Sequence, residues 1–146
     1  MQFLKRFSCI YKFDLWFEKA SSIINLIARF YLARIFFLSG LTKLDNWNAT
    51  LFLFKHEYSV PLLSSELAAL ITTFVELILV PLFLLGFMTR YIALCLLAMT
   101  MVINFSYIEN VEHYYWMIIF SMIMVYGGGY LSLDHWLKAR FLGTKG

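Results

Sequence analysis

Apolar residues fill this chain in long runs, and the polar positions inside those runs recur at helical spacing. The clearest run, residues 67–87, reads LAALITTFVELILVPLFLLGF and carries a single carboxylate, Glu76, near its middle. Roughly 20 consecutive apolar residues cross a bilayer, so the run predicts a spanning helix. Pro81, five residues after Glu76, removes one backbone donor and predicts a kink. Three more runs predict three more spans. Residues 23–41 carry Arg29 and Arg34, residues 91–108 carry Cys95, Thr100 and Asn104, and residues 114–133 carry no charge and end in three glycines, 127–129. Close helix packing is the purpose expected of those glycines, since they lack the strand–turn–helix setting and the lysine of a phosphate loop.

The first 22 residues differ. Lys5, Lys12 and Lys19 are seven apart and share a helix face, with Phe3, Phe7, Ile10 and Phe17 broadly opposite and Asp14 interrupting the apolar side. Charges break every apolar run there, which argues against a cleaved signal peptide. The expected fold class is therefore all-α: a four-helix transmembrane bundle with an N-terminal interfacial amphipathic helix. Three regions follow: a basic segment 1–22, a membrane domain 23–135 and a tail 136–146. The connection 42–66 holds Trp47 and Tyr58, which suit the headgroup level, and Phe52 and Phe54, which lean it on the membrane surface.

Composition sharpens the class. Of 146 residues, 62% are hydrophobic and 14% charged, against about 25% charged in a soluble domain. Mean hydropathy is +0.75. The lipid bilayer is the first partner implied. The net charge of +3 is dispersed beside the spans, so it sets topology and excludes nucleic acid as a partner. Lys5, Arg6, Lys12, Lys19, Arg90, Lys138, Arg140 and Lys145 fall on one side, and only Lys43 and Lys55 on the other. The positive-inside rule then puts both termini in the cytoplasm. Cys9 and Cys95 are too few and too distant for a disulfide framework or redox pair, and read as small apolar fillers.

Glu76 needs an answer, because an ionisable group in hydrocarbon is costly unless paired or hydrated. Ala69, Thr72, Thr73 and Glu76 cluster on one face of the second span, Ala93, Thr100 and Asn104 on the third, and Ser121, Gly128 and Ser132 on the fourth. Small and polar residues belong at helix contacts in a membrane, so these faces point inward. Arg29 and Arg34 differ by about 140° around the first helix. Arg29 shares the side of Asn25, Ala33, Gly40 and Lys43, whereas depth favours Arg34, roughly 16 Å from the cytoplasmic end like Glu76. An arginine can snorkel several ångströms, so face outweighs depth and the expected pair is Arg29 with Glu76. It is either a buried ion pair that fixes register or the flank of a polar cavity for a quinone head group, a proton or a small solute. Lys43 marks the outer end. At the cytoplasmic rim, Arg90 and Asp134 are expected to tie the bundle together or to serve as anchor and cap. His56, Glu57, Glu109, Glu112 and His113 gather on the outer side without a metal-binding spacing, so no metal site is assigned, and no residue is assigned as catalytic.

These pieces together resemble the DoxX family of small bacterial membrane proteins. The resemblance rests on Arg29…Gly40-Leu41-Thr42-Lys43, on Glu76…Gly86-Phe87-Met88-Thr89-Arg90, and on Gly127-Gly128-Gly129-Tyr130-Leu131-Ser132-Leu133-Asp134, and covers about residues 27–135. Arg34 and the basic aromatic N-terminus lie outside that pattern. The resemblance implies the bacterial inner membrane and an accessory or quinone-interacting subunit of a membrane redox system. Quinone is thus the candidate cofactor, and other redox subunits or a second copy of the chain the candidate partners. A small-solute or ion transporter and an assembly partner without chemistry of its own are the alternatives.

Overall fold

The computed structural model describes residues 2–58, 63–107, 109–141 and 143, and the side chains from residue 16 onward. Six helices appear among them: α1 (Gln2–Asp45), α2 (Trp47–His56), α3 (Ser65–Leu85), α4 (Thr89–Ser106), α5 (Val111–Tyr126) and α6 (Leu133–Phe141). No strand occurs among the described residues.

Four of these helices share one core. Leu32, Ala33 and Phe36 of α1 meet Val80 and Phe83 of α3, Ile92, Ala93, Leu96 and Leu97 of α4, and Met117, Phe120 and Ile123 of α5. Of the expected inward faces, Ala69, Thr73, Glu76, Ala93, Thr100, Asn104, Gly128 and Ser132 are buried, and Thr72 and Ser121 half-buried. The opposite faces stay bare. Phe30, Leu38, Phe74, Ile78, Phe105, Ile118 and Val125 are exposed, a surface that water would not tolerate but lipid does. Cys95 is a free thiol on such a face.

Among the described residues, three helices are long and apolar enough to cross a membrane: Trp16–Asp45 within α1, Ser65–Leu85 and Thr89–Ser106. The fourth departs from expectation. A helical run was expected over 114–133, but α5 stops at Tyr126 after 16 residues, about 24 Å against a hydrocarbon core of about 30 Å. Gly127 and Gly129 adopt positive φ of 82° and 72°, which ends the helix. The glycines therefore break this element rather than pack within it.

The first helix is longer than expected. Its backbone runs unbroken through residue 22, where a separate interfacial helix was expected to end, and on to Asp45. At 44 residues it is about 66 Å long, more than a bilayer's thickness. The side chains on which the amphipathic face of residues 1–15 rests lie outside the described residues. The connection after α1 is also helical in part. Asn46 caps α2 by accepting from Ala49 N, Phe54 packs on Ala68 and Ala69 of α3, and Phe52 stays exposed.

Within α3, residues Val75–Leu79 form a π-helical turn, with Val80 N–H donating to Val75 O. Pro81 has no N–H to give to the preceding turn, and the wider turn absorbs that gap immediately beside Glu76. Such single π turns are frequent at functional sites.

Candidate functional site

Two polar clusters sit 14 residues apart on α1, about 21 Å along its axis. The first is built on Arg29, which is fully buried. Its Nε donates to Asn25 Oδ1 at 3.0 Å. Nη1 donates to Leu84 O at 2.9 Å and Phe83 O at 3.5 Å, and Nη2 to Leu131 O at 2.6 Å and Gly128 O at 3.2 Å. All five N–H groups of a guanidinium are thus directed at acceptors. Phe83 O, which also accepts from Gly86 N, and Leu84 O lie at the C-terminus of α3, where the dipole is negative. Gly128 O and Leu131 O belong to the loop 127–132, where α5 has ended and supplies no further backbone partners. Non-helical backbone at membrane depth persists only where protein satisfies it, and here Arg29 does so. Asn25 Nδ2 adds a bond to Gly127 O.

Glycine is required around this cluster. A Cβ on Gly86 would lie 2.5 Å from Arg29 Nη1 and 2.5 Å from Ser132 Cβ, and its φ is +76°. One on Gly128 would lie 2.6 Å from Ser132 Cβ. Asp134 closes the cluster by accepting from Met88 N, Thr89 N and Thr89 Oγ1 at 2.7–2.8 Å. It caps α4 from across the chain, because Met88 at the cap position supplies no side-chain bond of its own. Of the two readings of Arg90 and Asp134, the cap is what the geometry gives Asp134, and no Arg90–Asp134 ion pair forms among the described residues. Arg90 instead lies along Gly127 and lines the same open cavity of about 770 Å³.

The second cluster centres on Glu76, 1% exposed. Its partner is Lys43: Nζ lies 2.6 Å from Oε1 and 2.5 Å from Oε2. Ser39 Oγ donates to Oε1 at 3.2 Å and accepts from Lys43 Nζ at 2.8 Å. The expected Arg29–Glu76 pair is therefore corrected. Arg29 does face inward and Arg34 is exposed, but Arg29 is spent on carbonyls one end away. Lys43 shares Arg29's face almost four turns on, and α1 continues past it to Asp45, so the lysine reaches back into the bundle. Gly40 makes room: a Cβ there would sit 2.9 Å from Glu76 Cβ. Ser39 was not singled out by sequence, although it lies four residues before Lys43.

A cavity of about 290 Å³ adjoins this pair. Phe36, Phe54, Tyr58, Tyr107 and Trp116 supply its aromatic wall, with Ser39, Lys43, Thr72, Glu76, Thr100, Asn110 and His113 as its other polar residues. Thr72 and Thr100 hydroxyls donate back to their own helices, as does buried Thr73. Tyr58 stacks on Phe54 and lies 4.2 Å, centroid to centroid, from Tyr107. Burial, then Tyr107, Glu57 and Glu76, push the Tyr58 hydroxyl above the usual phenol range, so it stays a donor. Asn104 stands behind the wall, 3% exposed, with Oδ1 between Asn110 N and His113 Nδ1. Its Nδ2 has no partner among the described residues, which costs about 1–3 kcal/mol. No metal-binding group of three or more His, Cys, Asp or Glu side chains occurs among the described residues.

Apolar helices with bare lipid-facing sides, packed around two buried polar clusters, define an integral membrane protein. Residues 24–107 match the DoxX family, more than half of the chain, and the chain belongs to that family. The matched stretch contains Arg29, Gly40, Lys43, Glu76, Gly86 and Arg90, whereas the glycine loop and Asp134 lie beyond it. Neither curated proteins nor solved structures give a match.

Proposed function

We propose that this protein is a quinone-interacting accessory subunit of a membrane redox system, with the head group seated in the cavity beside Lys43 and Glu76. The observation that carries the reading is the composition of that wall: five aromatic side chains face the ion pair of half-buried Lys43 and buried Glu76 across about 290 Å³. Small-molecule sites are mostly apolar and aromatic with a few placed polar groups, and span about 300–1,000 Å³. This one lies just below that range, matching one conjugated ring with polar edges while an isoprenoid tail runs out to lipid. A solute path would have to continue through the Arg29 end, where the guanidinium holds four backbone carbonyls, so a one-sided pocket is favoured over a transporter.

The same reading places the Arg29 end, with both termini, on the cytoplasmic side of a bacterial inner membrane, following the bias of basic residues. The helix α5 with residues 127–132 completes a fourth crossing, and redox subunits or a second copy cover part of the lipid-facing surface.

Extraction of the protein purified from its native membrane, followed by mass spectrometry, tests the assignment. Quinone should co-purify in near-stoichiometric amount and fall sharply in Phe54→Ala and Glu76→Leu variants that remain folded. Lipid without quinone in the wild-type sample would sink it.

A further inference from the structure

The backbone N–H of Asn110 donates to Asn104 Oδ1 at 3.2 Å, and His113 Nδ1 lies 3.1 Å from the same oxygen. A backbone N–H can only donate, so the contact with Asn110 settles which end of the Asn104 amide is oxygen. That oxygen has no proton to give. His113 Nδ1 must therefore carry the hydrogen of their contact, and in the neutral ring the lone pair is left on Nε2. Nε2 has no partner among the described residues, and the ring lines the 290 Å³ cavity next to Trp116.

The other polar groups of the wall are largely committed. Lys43 Nζ directs its donors to Ser39 Oγ and both Glu76 oxygens. Thr72 and Thr100 donate within their own helices, and Tyr107 donates to Glu57. His113 Nε2 is thus the open acceptor in a wall whose strongest donor is already used.

We infer that the cavity grips its ligand through a hydroxyl donated to His113 Nε2, and so takes the reduced hydroquinone head group in preference to the oxidised quinone. This rests on the quinone reading above and adds which redox form is held and by which atom. The second oxygen of the same ring meets Trp116 Nε1 or the Tyr58 hydroxyl, both of which line the cavity. His113 is then a specificity residue, and Asn104 with Asn110 positions it. One side of the Asn104 amide stays unpaired while the other fixes the tautomer.

The test uses the full chain in detergent micelles with ¹⁵N-labelled histidine, the His113 signals being assigned by their loss in His113→Phe. The ring nitrogen shifts should report Nδ1–H in the ligand-free protein, and Asn104→Leu should abolish that preference. Calorimetric titration then compares trimethylhydroquinone, its dimethyl ether and trimethylbenzoquinone. The hydroquinone should bind about tenfold more tightly than either, the worth of one well-made hydrogen bond, and both His113→Phe and Asn104→Leu should erase the difference. A proton on Nε2 in the wild-type protein overturns the inference whatever the cavity binds. Equal binding of the oxidised and reduced forms overturns it while leaving the quinone reading standing. An Nδ1–H ring with no binding of either form overturns both.

Discussion

At one end of the bundle a buried guanidinium is held by backbone carbonyls, and at the other an ammonium is held by a carboxylate, both cations standing on the same face of α1. The Arg29 cluster is closed. Every donor has an acceptor, glycines at 86 and 128 leave no room for a Cβ, and four of the five acceptors are main-chain atoms that cannot move without unwinding something. The Lys43 cluster is open. Its side chain is 17% exposed, the π turn loosens the backbone beside Glu76, and both charges line a cavity, whereas Arg29 does not line the larger one beside its own cluster. A saturated, immobile charge serves architecture, whereas a charge with a flexible stem beside unfilled space serves binding.

The largest effects are expected where the cluster is closed. Arg29→Leu strands carbonyls of Leu84, Gly128 and Leu131, each costing about 1–3 kcal/mol, while Phe83 O keeps its bond from Gly86 N. Folded yield should collapse, and Arg29→Lys should rescue little, since a point ammonium cannot span that fan of acceptors. Gly86→Ala should be nearly as damaging through strain at positive φ and the clash with Ser132. Detergent-solubilised yield with a thermal unfolding scan checks both. A stable, monodisperse Arg29→Leu protein would show that the loop 127–132 does not depend on this residue.

The open cluster should respond asymmetrically. Lys43→Met leaves Glu76 buried without a counter-charge, the situation that costs about 3–5 kcal/mol. Glu76→Gln leaves a lysine that can swing outward along its stem, so its loss should be smaller, about 1–2 kcal/mol, of the order of one charge-assisted hydrogen bond. The double variant should sit above Lys43→Met alone. Equal losses for the two single variants would mean that Lys43 is as confined as Arg29, and the contrast between the ends would vanish.

Much of this was legible in the sequence, and the failures have physical causes. Period-3.6 faces placed Arg29, Thr73, Glu76, Thr100 and Asn104 inside correctly, because small and polar residues in a membrane span have few other places to go. The pairing of charges was not legible, because it depends on where α1 ends. Lys43 reads as a loop residue after an apolar run that stops at Leu41, and only the helix's continuation to Asp45 keeps it in register with Glu76. The role of Arg29 was hidden for a different reason. Its partners are backbone carbonyls, which every residue possesses and no composition reveals. The glycine triplet, read as packing, was the available signal that α5 would break and leave carbonyls needing a donor.

Gly40→Ala probes the contact that brings Lys43 to its partner. The added methyl would lie 2.9 Å from Glu76 Cβ and 3.0 Å from Leu77, so α1 and α3 must separate, at about 1–3 kcal/mol for overpacking. The shift should also lengthen the Lys43–Glu76 contact and enlarge the cavity. A cysteine pair placed across α1 and α3 near this level, cross-linked before and after the substitution, reads the separation directly. Unchanged cross-linking with unchanged stability would show that the helices have slack here that the close approach conceals.

The smallest effects distinguish a polar residue with a task from one that merely sits in a span. Asp134→Ala removes the acceptor for Met88 N, Thr89 N and Thr89 Oγ1, so α4 loses the cap that its own cap residue cannot provide. The expected cost is about 0.5–2 kcal/mol, appearing as faster amide exchange at residues 88–90 while the rest of α4 stays protected. Asp134→Asn should fall between, because one carboxamide oxygen still accepts while the NH₂ faces a donor. Arg34→Gln, on the exposed side of α1, should stay within about 0.5 kcal/mol of wild type. Arg34 thus serves as the control for Arg29, being the same residue type five positions along the same helix. If removing Arg34 costs as much as removing Asp134, its guanidinium has a partner outside this chain, and the exposed face of α1 is where that partner docks.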